Sequence, residues 1–131
     1  MVLDLAPSIQ KTGVPLIEVF IGGEKHLFIL DTGATTNLIS SALKDKCKYA
    51  PAGEGMTYSF EGAAAECPII RLSYSLKGTS HESDFTVTDA STFGVFQEES
   101  DMLVEGIMGL PFLVEHRCVI DYIYGNVTLI V

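Results

Sequence analysis

Short runs of β-branched and aromatic residues recur along nearly the whole chain, and their spacing limits the fold more than any other feature. Residues 14–21 and 24–31 form two such runs on either side of Gly22-Gly23, a pattern that predicts a hairpin. Residues 69–76 and 84–88 predict a second antiparallel pair. Strands this short and this closely spaced indicate an all-β barrel or folded sheet rather than a βαβ fold.

Two short helices are predicted among these strands. The first lies within residues 40–48, where a serine that can cap a helix precedes helix-forming residues, directly after an extended piece at residues 37–39. The second follows a buried strand and begins at Pro111, because proline suits the first turn of a helix.

The remaining segments carry weaker patterns. Residues 49–65 are rich in glycine and alanine and are interpreted as a hairpin or loop. Residues 91–100 are expected to cross the surface, and residues 118–131 predict two apolar strands. With 131 residues, the chain is expected to hold one domain at residues 14–131, preceded by an N-terminal extension at residues 1–13.

Composition excludes several classes of function. The formal charge of −9, from 17 acids and 8 bases, offers no basic patch for phosphates, so nucleic acid is not expected as a partner. No apolar run is long enough to span a membrane. Three cysteines without a Cys-x-x-Cys pair and three scattered histidines predict neither disulfides nor a metal site. A cytoplasmic protein is expected, although an exported domain whose signal has been removed could begin in the same way.

The segment FILDTGATTNLIS places Asp31 at the end of an apolar run and follows it with small residues. Gly33 lets another backbone approach closely, and Thr32 offers a hydroxyl that can bond a neighbouring backbone group. Taken alone, Asp-Thr-Gly is also typical of an ordinary strand-to-turn connector whose aspartate bonds its own backbone. The tripeptide therefore needs context before it indicates chemistry.

That context is a second motif later in the chain, where Ile107-Met108-Gly109 is followed by Leu110-Pro111-Phe112-Leu113. Together with Asp31-Thr32-Gly33-Ala34 and Asn37-Leu38-Ile39, it resembles the retropepsin-like aspartic proteases. In that family the first motif holds the catalytic aspartate and the second forms a loop that crosses beneath it. Residues 101–131 resemble the cellular Ddi-type and related bacterial members. The resemblance covers about residues 14–131 and implies a closed all-β barrel, homodimeric, with one or two short helices.

The same resemblance implies an aspartic endopeptidase that acts on peptide or protein substrates, with Asp31, Thr32 and Gly33 in catalytic positions. Two aspartates in this mechanism share one proton and activate a water molecule, so neither a metal nor a cofactor is needed. The chain contains no second Asp-Thr-Gly or Asp-Ser-Gly. A homodimer is therefore expected to supply the second aspartate by two-fold symmetry.

Further roles follow from the resemblance. Ala34 and Thr35 are expected to bind substrate, and so are Tyr58 and Phe60, which fall in residues 57–64, where the flap that covers substrate in the family would lie. An ordinary surface hairpin with strand aromatics is the alternative for that stretch. Ile107, Met108 and Gly109 are expected to be structural core. The strand at residues 127–131 is expected to join a sheet across the dimer axis, as the ends of retroviral members do.

The chain departs from the retroviral pattern at two places. Retroviral enzymes follow Asp-Thr-Gly-Ala with two acids that grip the peptide backbone, whereas Thr35 and Thr36 occupy those positions here. They also carry Gly-Arg-Asn or Gly-Arg-Asp where this chain has Gly109-Leu110-Pro111. The mode of substrate binding and the salt bridges of the dimer are therefore expected to differ.

Other readings of the motif are open at this point. Asp-x-Gly-x-Thr also begins the phosphate-binding hairpin of actin-like kinases and ATPases, but those folds need a chain more than twice as long as this one and a second phosphate loop. A phosphatase with an aspartate nucleophile would have a second aspartate where Gly33 stands. The alternative that stays closest to the family is a non-catalytic member, which keeps the fold as a dimerisation or peptide-binding module.

Overall fold

The computed structural model describes residues 1–58 and 64–130, and short strands make up most of it. The strands are β1 (Val2–Asp4), β2 (Leu16–Ile21), β3 (Glu24–Leu30), β4 (Leu38–Ser40), β5 (Ala50–Tyr58), β6 (Ala64–Leu76), β7 (Thr79–Thr88), β8 (Val104–Met108), β9 (Val119–Asp121) and β10 (Asn126–Thr128). The α-helices are α1 (Ala6–Thr12), α2 (Ser41–Lys44), α3 (Gly94–Ser100) and α4 (Leu110–Glu115), and a 3-10 helix spans Ala90–Phe93. None of the helices in these residues has the length and apolar content needed to cross a bilayer.

Seven strands form one sheet that closes on itself. Their order is β2-β3-β8-β4-β7-β6-β5, and β2 also pairs with β6 through Phe20 and Ser75. The β2–β3 hairpin turns at Gly22-Gly23 and β6–β7 is antiparallel, as the sequence predicts. The pairs β3–β8 and β4–β7 are parallel. The all-β closed barrel predicted from the sequence is confirmed.

The barrel encloses one main apolar core. Phe28, Phe85, Ile39 and Met108 are among its fully buried side chains, and they come from four neighbouring strands of the large sheet. Gly106 gives the Phe28 ring its space, because a Cβ on this glycine would lie 2.3 Å from a ring carbon. The core therefore packs directly against the strand ends that carry residues 31 and 109.

A second sheet, of order β1-β10-β9, joins the two ends of the chain. Residues 1–13, predicted as an extension, supply β1 and α1, and Leu3 and Leu5 lie in the main core cluster. Both edges of β10 are paired within its own chain, and Leu129 continues that pairing by exchanging backbone hydrogen bonds with Met1. The strand β10 therefore offers no free edge to a second copy, which is unlike the arrangement expected for residues 127–131; residue 131 lies outside the described residues.

Both predicted helices are present. Ser40 caps α2 by accepting the Leu43 N–H at 3.1 Å, and Pro111 lies in the first turn of α4. The segment at residues 91–100, predicted to cross the surface, lies largely at the surface as part of the 3-10 helix and α3. Phe93 in that segment packs against Leu16 and Val104 in a second, smaller apolar cluster.

Candidate active site

Asp31 follows the last residue of β3 and is fixed by the neighbouring parallel strand. Its backbone N–H donates to the Met108 carbonyl at 3.0 Å, directly beyond the Leu30–Met108 pair of the β3–β8 ladder. The side chain of Asp31 is partly exposed. A buried strand pair thus delivers a carboxylate to the surface at a defined position.

The turn that follows orients this carboxylate. The Gly33 N–H donates to Asp31 Oδ1 at 2.9 Å, and the Ala34 N–H donates to the Asp31 carbonyl at 3.2 Å. A Cβ on Gly33 would lie 3.3 Å from Asp31 Oδ1, tighter than an ordinary contact. No other described side chain or backbone group bonds this carboxylate. One oxygen is therefore held by the turn, and the other is available to a water molecule or a second carboxyl.

Residues 31–37 and residues 108–110 pass in direct contact. The Leu110 N–H donates to the Ala34 carbonyl at 2.8 Å. A Cβ on Gly109 would lie 2.4 Å from the Thr36 oxygen and 2.8 Å from the Ala34 oxygen. Because both neighbours are backbone atoms that cannot swing away, only glycine fits at this crossing. Met108 and Gly109 are buried and Ile107 is partly buried, which matches their predicted role as core support.

Asn37 belongs to one of the motifs of the resemblance, but the sequence analysis gave its side chain no role. Its side chain is 3% exposed, with Oδ1 accepting the Gly109 N–H at 2.9 Å and Nδ2 donating to the Asp84 carbonyl at 3.3 Å. Its carbonyl also accepts the Thr86 N–H at 2.8 Å. A buried side-chain amide needs hydrogen-bond partners. The position of Asn37 directly before an apolar strand is the sequence feature that could have indicated this role.

The other predicted site residues differ in their exposure and in their position in the fold. Thr32 and Thr35 are exposed and Ala34 is partly exposed, all within the loop that carries Asp31. The backbone of Tyr58, at the end of β5, pairs with that of Ala64 at the start of β6, and residues 59–63 of the predicted flap lie outside the described residues. Phe60 lies outside the described residues. The Thr32 hydroxyl makes no hydrogen bond within the described chain.

A cleft of about 390 Å³ lies beside the Asp31 loop. Thr36 and Asn37 form one side of it, and Pro111 and Glu115 of α4 form another. On its β6–β7 side, Arg71 pairs with Glu82 at 2.8 Å and with Asp84 at 3.0 Å. Asp31 does not line this cleft. Among the described residues, no three histidine, cysteine or acidic side chains come together to hold a metal ion.

Comparisons with known proteins agree with this geometry. A family model described as aspartyl protease matches residues 17–112, which include the Asp31 loop, Asn37 and Gly109. Among solved structures, the chain is similar to the retroviral protease-like domain of Ddi1 from Leishmania major. That match has a TM-score of 0.54 and 16% identity, and it covers 88% of this chain and 92% of the other. A comparison with curated protein sequences gave no significant match. At this identity the structural match speaks for the fold alone.

Proposed function

Because the chain belongs to the aspartyl protease family and has its retropepsin-like fold, we propose that it is an endopeptidase built from two copies. Each copy contributes one Asp31, and the pair activates a water molecule to hydrolyse a peptide bond. The observation that carries the proposal is the placement of Asp31, which is anchored to Met108 through its backbone and oriented by Gly33 through Oδ1.

The need for two copies follows from the chemistry. One carboxyl group must take a proton from water while another donates a proton to the substrate carbonyl oxygen, and one Asp31 cannot do both at once. No other aspartate in the sequence is followed by Thr-Gly or Ser-Gly. Since the Asp31 side chain is partly exposed at the surface, it is accessible to its counterpart from a second copy.

The proposed reaction needs only the two carboxyl groups and a water molecule, with no metal or cofactor. The ionised carboxylate takes a proton from water as the water oxygen bonds to the carbonyl carbon, and the protonated carboxyl gives its proton to the carbonyl oxygen. The carboxyl that took the proton from water then gives it to the amide nitrogen as the C–N bond breaks, and the other carboxylate takes a proton back from a hydroxyl of the tetrahedral intermediate, so the pair again holds one proton. Two carboxyl groups that face each other across one water molecule share a single proton, because the repulsion between like charges prevents both from being ionised.

The neighbouring residues take supporting roles in this proposal. Gly33 keeps Asp31 Oδ1 bonded, and Thr32 contacts the matching loop of the second copy. Ala34 and Thr35 lie against the substrate backbone, and Tyr58 and Phe60 are further substrate contacts in this proposal. The two threonines that replace the retroviral acids at positions 35 and 36 leave the substrate contacts uncharged there.

The first test is hydrolysis of a mixed peptide library between about pH 4 and 7, the range in which a carboxyl pair can hold a single proton. Wild type is expected to cleave, and Asp31→Asn is expected to lose cleavage by about a thousandfold or more. Asn retains an oxygen that accepts the Gly33 N–H, so the loop should stay folded. Asp89→Asn is the matched control, because the Asp89 carboxylate also accepts a backbone N–H, from Ser91 at 2.8 Å.

Each result separates the alternatives. Cleavage that survives in Asp31→Asn would contradict the assignment of the catalytic residue. A wild type that sediments as a dimer but cleaves nothing over the whole pH range would favour a non-catalytic dimerisation or peptide-binding module.

Subunit mixing tests the shared site directly. When wild type is allowed to exchange with an equal amount of Asp31→Asn, random pairing is expected to lower the total cleavage rate to about half. If each chain acts alone, the inactive variant will leave the rate unchanged. Mixing with Asp89→Asn in place of Asp31→Asn should give no loss.

A further inference from the structure

We propose that the cleft between α4 and the β6–β7 pair binds a basic side chain, arginine or lysine, of the peptide substrate. This inference rests on the proposed endopeptidase and assigns part of its specificity. The volume of the cleft, about 390 Å³, is within the range of sites that bind small ligands. Its described lining residues come from the Asp31 loop, β5, β6, β7 and α4.

One face of the β6–β7 pair forms the floor of the cleft. In the ladder between the two strands, Arg71 lies opposite Asp84. Two residues along, Ile69 lies opposite Thr86, so all four side chains project to the same face of the sheet. Phe85, which lies between Asp84 and Thr86, points the other way and is buried in the main core. The floor is therefore the outer face of the barrel wall.

The floor contains a buried hydroxyl group with no partner. Thr86 is 5% exposed and lines the cleft, and its hydroxyl makes no hydrogen bond within the described chain. The buried amide of Asn37 also lines the cleft, and its Oδ1 and Nδ2 each make one hydrogen bond, which leaves a lone pair on Oδ1. Buried polar groups normally have partners, so these oxygens indicate a ligand that donates hydrogen bonds.

The lining of the cleft is acidic. Arg71 bonds one carboxylate oxygen of Glu82 at 2.8 Å and one of Asp84 at 3.0 Å. Glu115, on the α4 side, makes no hydrogen bond or ion pair within the described chain. Three acids against one base leave a formal charge of −2 among the described lining residues, which favours a cation. These acids do not converge as metal ligands within the described chain, so an organic cation fits the cleft better than a metal ion.

The cleft lies next to the proposed path of the substrate. In the proposed function the substrate backbone lies against Ala34 and Thr35, and Thr36, the next residue, lines the cleft. A substrate side chain near the scissile bond can therefore enter the cleft while its backbone stays on the Asp31 loop. Its cationic end meets the acidic lining, and its methylene groups contact the apolar atoms of Ile69 and Pro111.

The first test measures binding without cleavage. The full chain with Asp31→Asn is titrated with acetyl-arginine amide, and with acetyl-citrulline amide as its uncharged isostere, while two-dimensional NMR spectra follow the backbone amides. The arginine compound is expected to shift the signals of Thr86 and Gly109, whose N–H groups both bond Asn37. It is expected to bind about fivefold or more tightly than the citrulline compound.

Variants made in the same Asp31→Asn chain identify the groups that bind. Glu115→Gln is expected to weaken arginine binding by about threefold or more. Thr86→Val should weaken it by a similar factor while leaving the free energy of unfolding unchanged or higher, because the hydroxyl has no partner to lose within the described chain. Glu99→Gln, at an exposed acid on α3, is the control and should change binding by less than about twofold. Circular dichroism checks that each variant is folded.

The second test measures cleavage preference with wild type and the mixed peptide library. Peptides with arginine or lysine at one fixed distance from the scissile bond are expected to be cleaved preferentially. Glu115→Lys, which reverses the charge at the cleft, is expected to reduce that preference by about tenfold or more. Glu99→Lys makes the same change on α3 and should retain the preference.

The two tests separate failure of this inference from failure of the proposed function. The inference is overturned if the arginine and citrulline compounds bind equally, or if neither shifts the signals beside the cleft. It is also overturned if folded Glu115→Gln and Thr86→Val both bind arginine like the parent chain, or if wild type cleaves with no preference for basic residues. A wild type that cleaves no peptide contradicts the proposed function, whereas the titration still decides whether the cleft binds a basic side chain.

Discussion

The side-chain oxygen of Asn37 accepts the backbone N–H of Gly109 at 2.9 Å, which ties the loop that carries Asp31 to the residue that follows β8. The same amide group donates to the Asp84 carbonyl on β7. Asn37 therefore links three separate pieces of backbone from one buried position. The geometry of the loop that carries Asp31 depends on this amide as well as on the Asp-Thr-Gly tripeptide itself.

Replacement of Asn37 by alanine should destabilise the protein by about 2–3 kcal/mol, because it leaves the buried Gly109 N–H and Asp84 carbonyl without this partner. Urea denaturation measures the loss. The control is Asn126→Ala, since the Asn126 side chain is partly exposed and makes no hydrogen bond within the described residues. Its cost should stay below about 0.5 kcal/mol. Equal losses in the two variants would show that the Asn37 bonds add nothing to stability.

Gly109→Ala should cost about 1–3 kcal/mol, because the new methyl group meets the Thr36 and Ala34 carbonyl oxygens and forces the two loops apart. The displacement should also lower cleavage, since Ala34 lies three residues after Asp31. Gly94→Ala is the matched control: a Cβ there meets nothing within 4 Å, and its φ of −62° is helical. That control is expected to leave the free energy of unfolding unchanged or to raise it by up to about 1 kcal/mol. A Gly109→Ala protein as stable as wild type would contradict the close crossing.

The parts of this molecule that follow from the sequence are those with local signals. The β2–β3 hairpin turns at two glycines, α4 begins next to a proline, and Asp31 ends an apolar run. Each of these features is decided by neighbouring residues, through the backbone freedom of glycine or the fixed φ of proline.

The features that could not be predicted from the sequence depend on contacts between residues far apart in the chain. The Asn37–Gly109 bond joins positions 72 residues apart, and no local pattern marks that pairing. Helix α3 has no buried residue of its own, so it lacks the apolar periodicity that would predict it. The placement of β10 between β1 and β9 requires the two ends of the chain to meet, which a strand pattern near one end cannot reveal.

His81 should make stability depend on pH in the mildly acidic range. Its ring stacks on Tyr74 and lies edge-on to His116 at 5.0 Å, and its Nε2 is buried without a hydrogen-bond partner in the described chain. Burial and the nearby His116 lower the pKa of His81 from 6.5, against a smaller opposing effect of Glu115. As pH falls below 6.5, the unfolded chain binds this proton first, so the free energy of unfolding drops.

His81→Phe keeps an aromatic ring against Tyr74 but cannot take up a proton. Between about pH 7.5 and pH 5 the variant should lose less stability than wild type, while any constant difference above pH 7.5 reports the packing change alone. Urea midpoints measured across this range give the comparison. Parallel curves for the two proteins would show that His81 does not resist protonation in the fold.

Tyr74 should make the protein less stable at alkaline pH. Its phenol oxygen lies 2.9 Å from Ser83 Oγ inside the core, and burial raises the pKa of Tyr74 to about 12 from 10.0. The folded state therefore favours the neutral phenol, so its stabilising effect is complete below pH 10 and is lost as pH rises toward 12. Tyr74→Phe should cost about 1 kcal/mol at neutral pH, because the buried Ser83 hydroxyl loses its partner, yet it should flatten the decline above pH 10. Tyr124→Phe, at an exposed ring, should leave that decline as steep as in wild type, and the same flattening in both variants would mean that the slope does not come from the buried phenol.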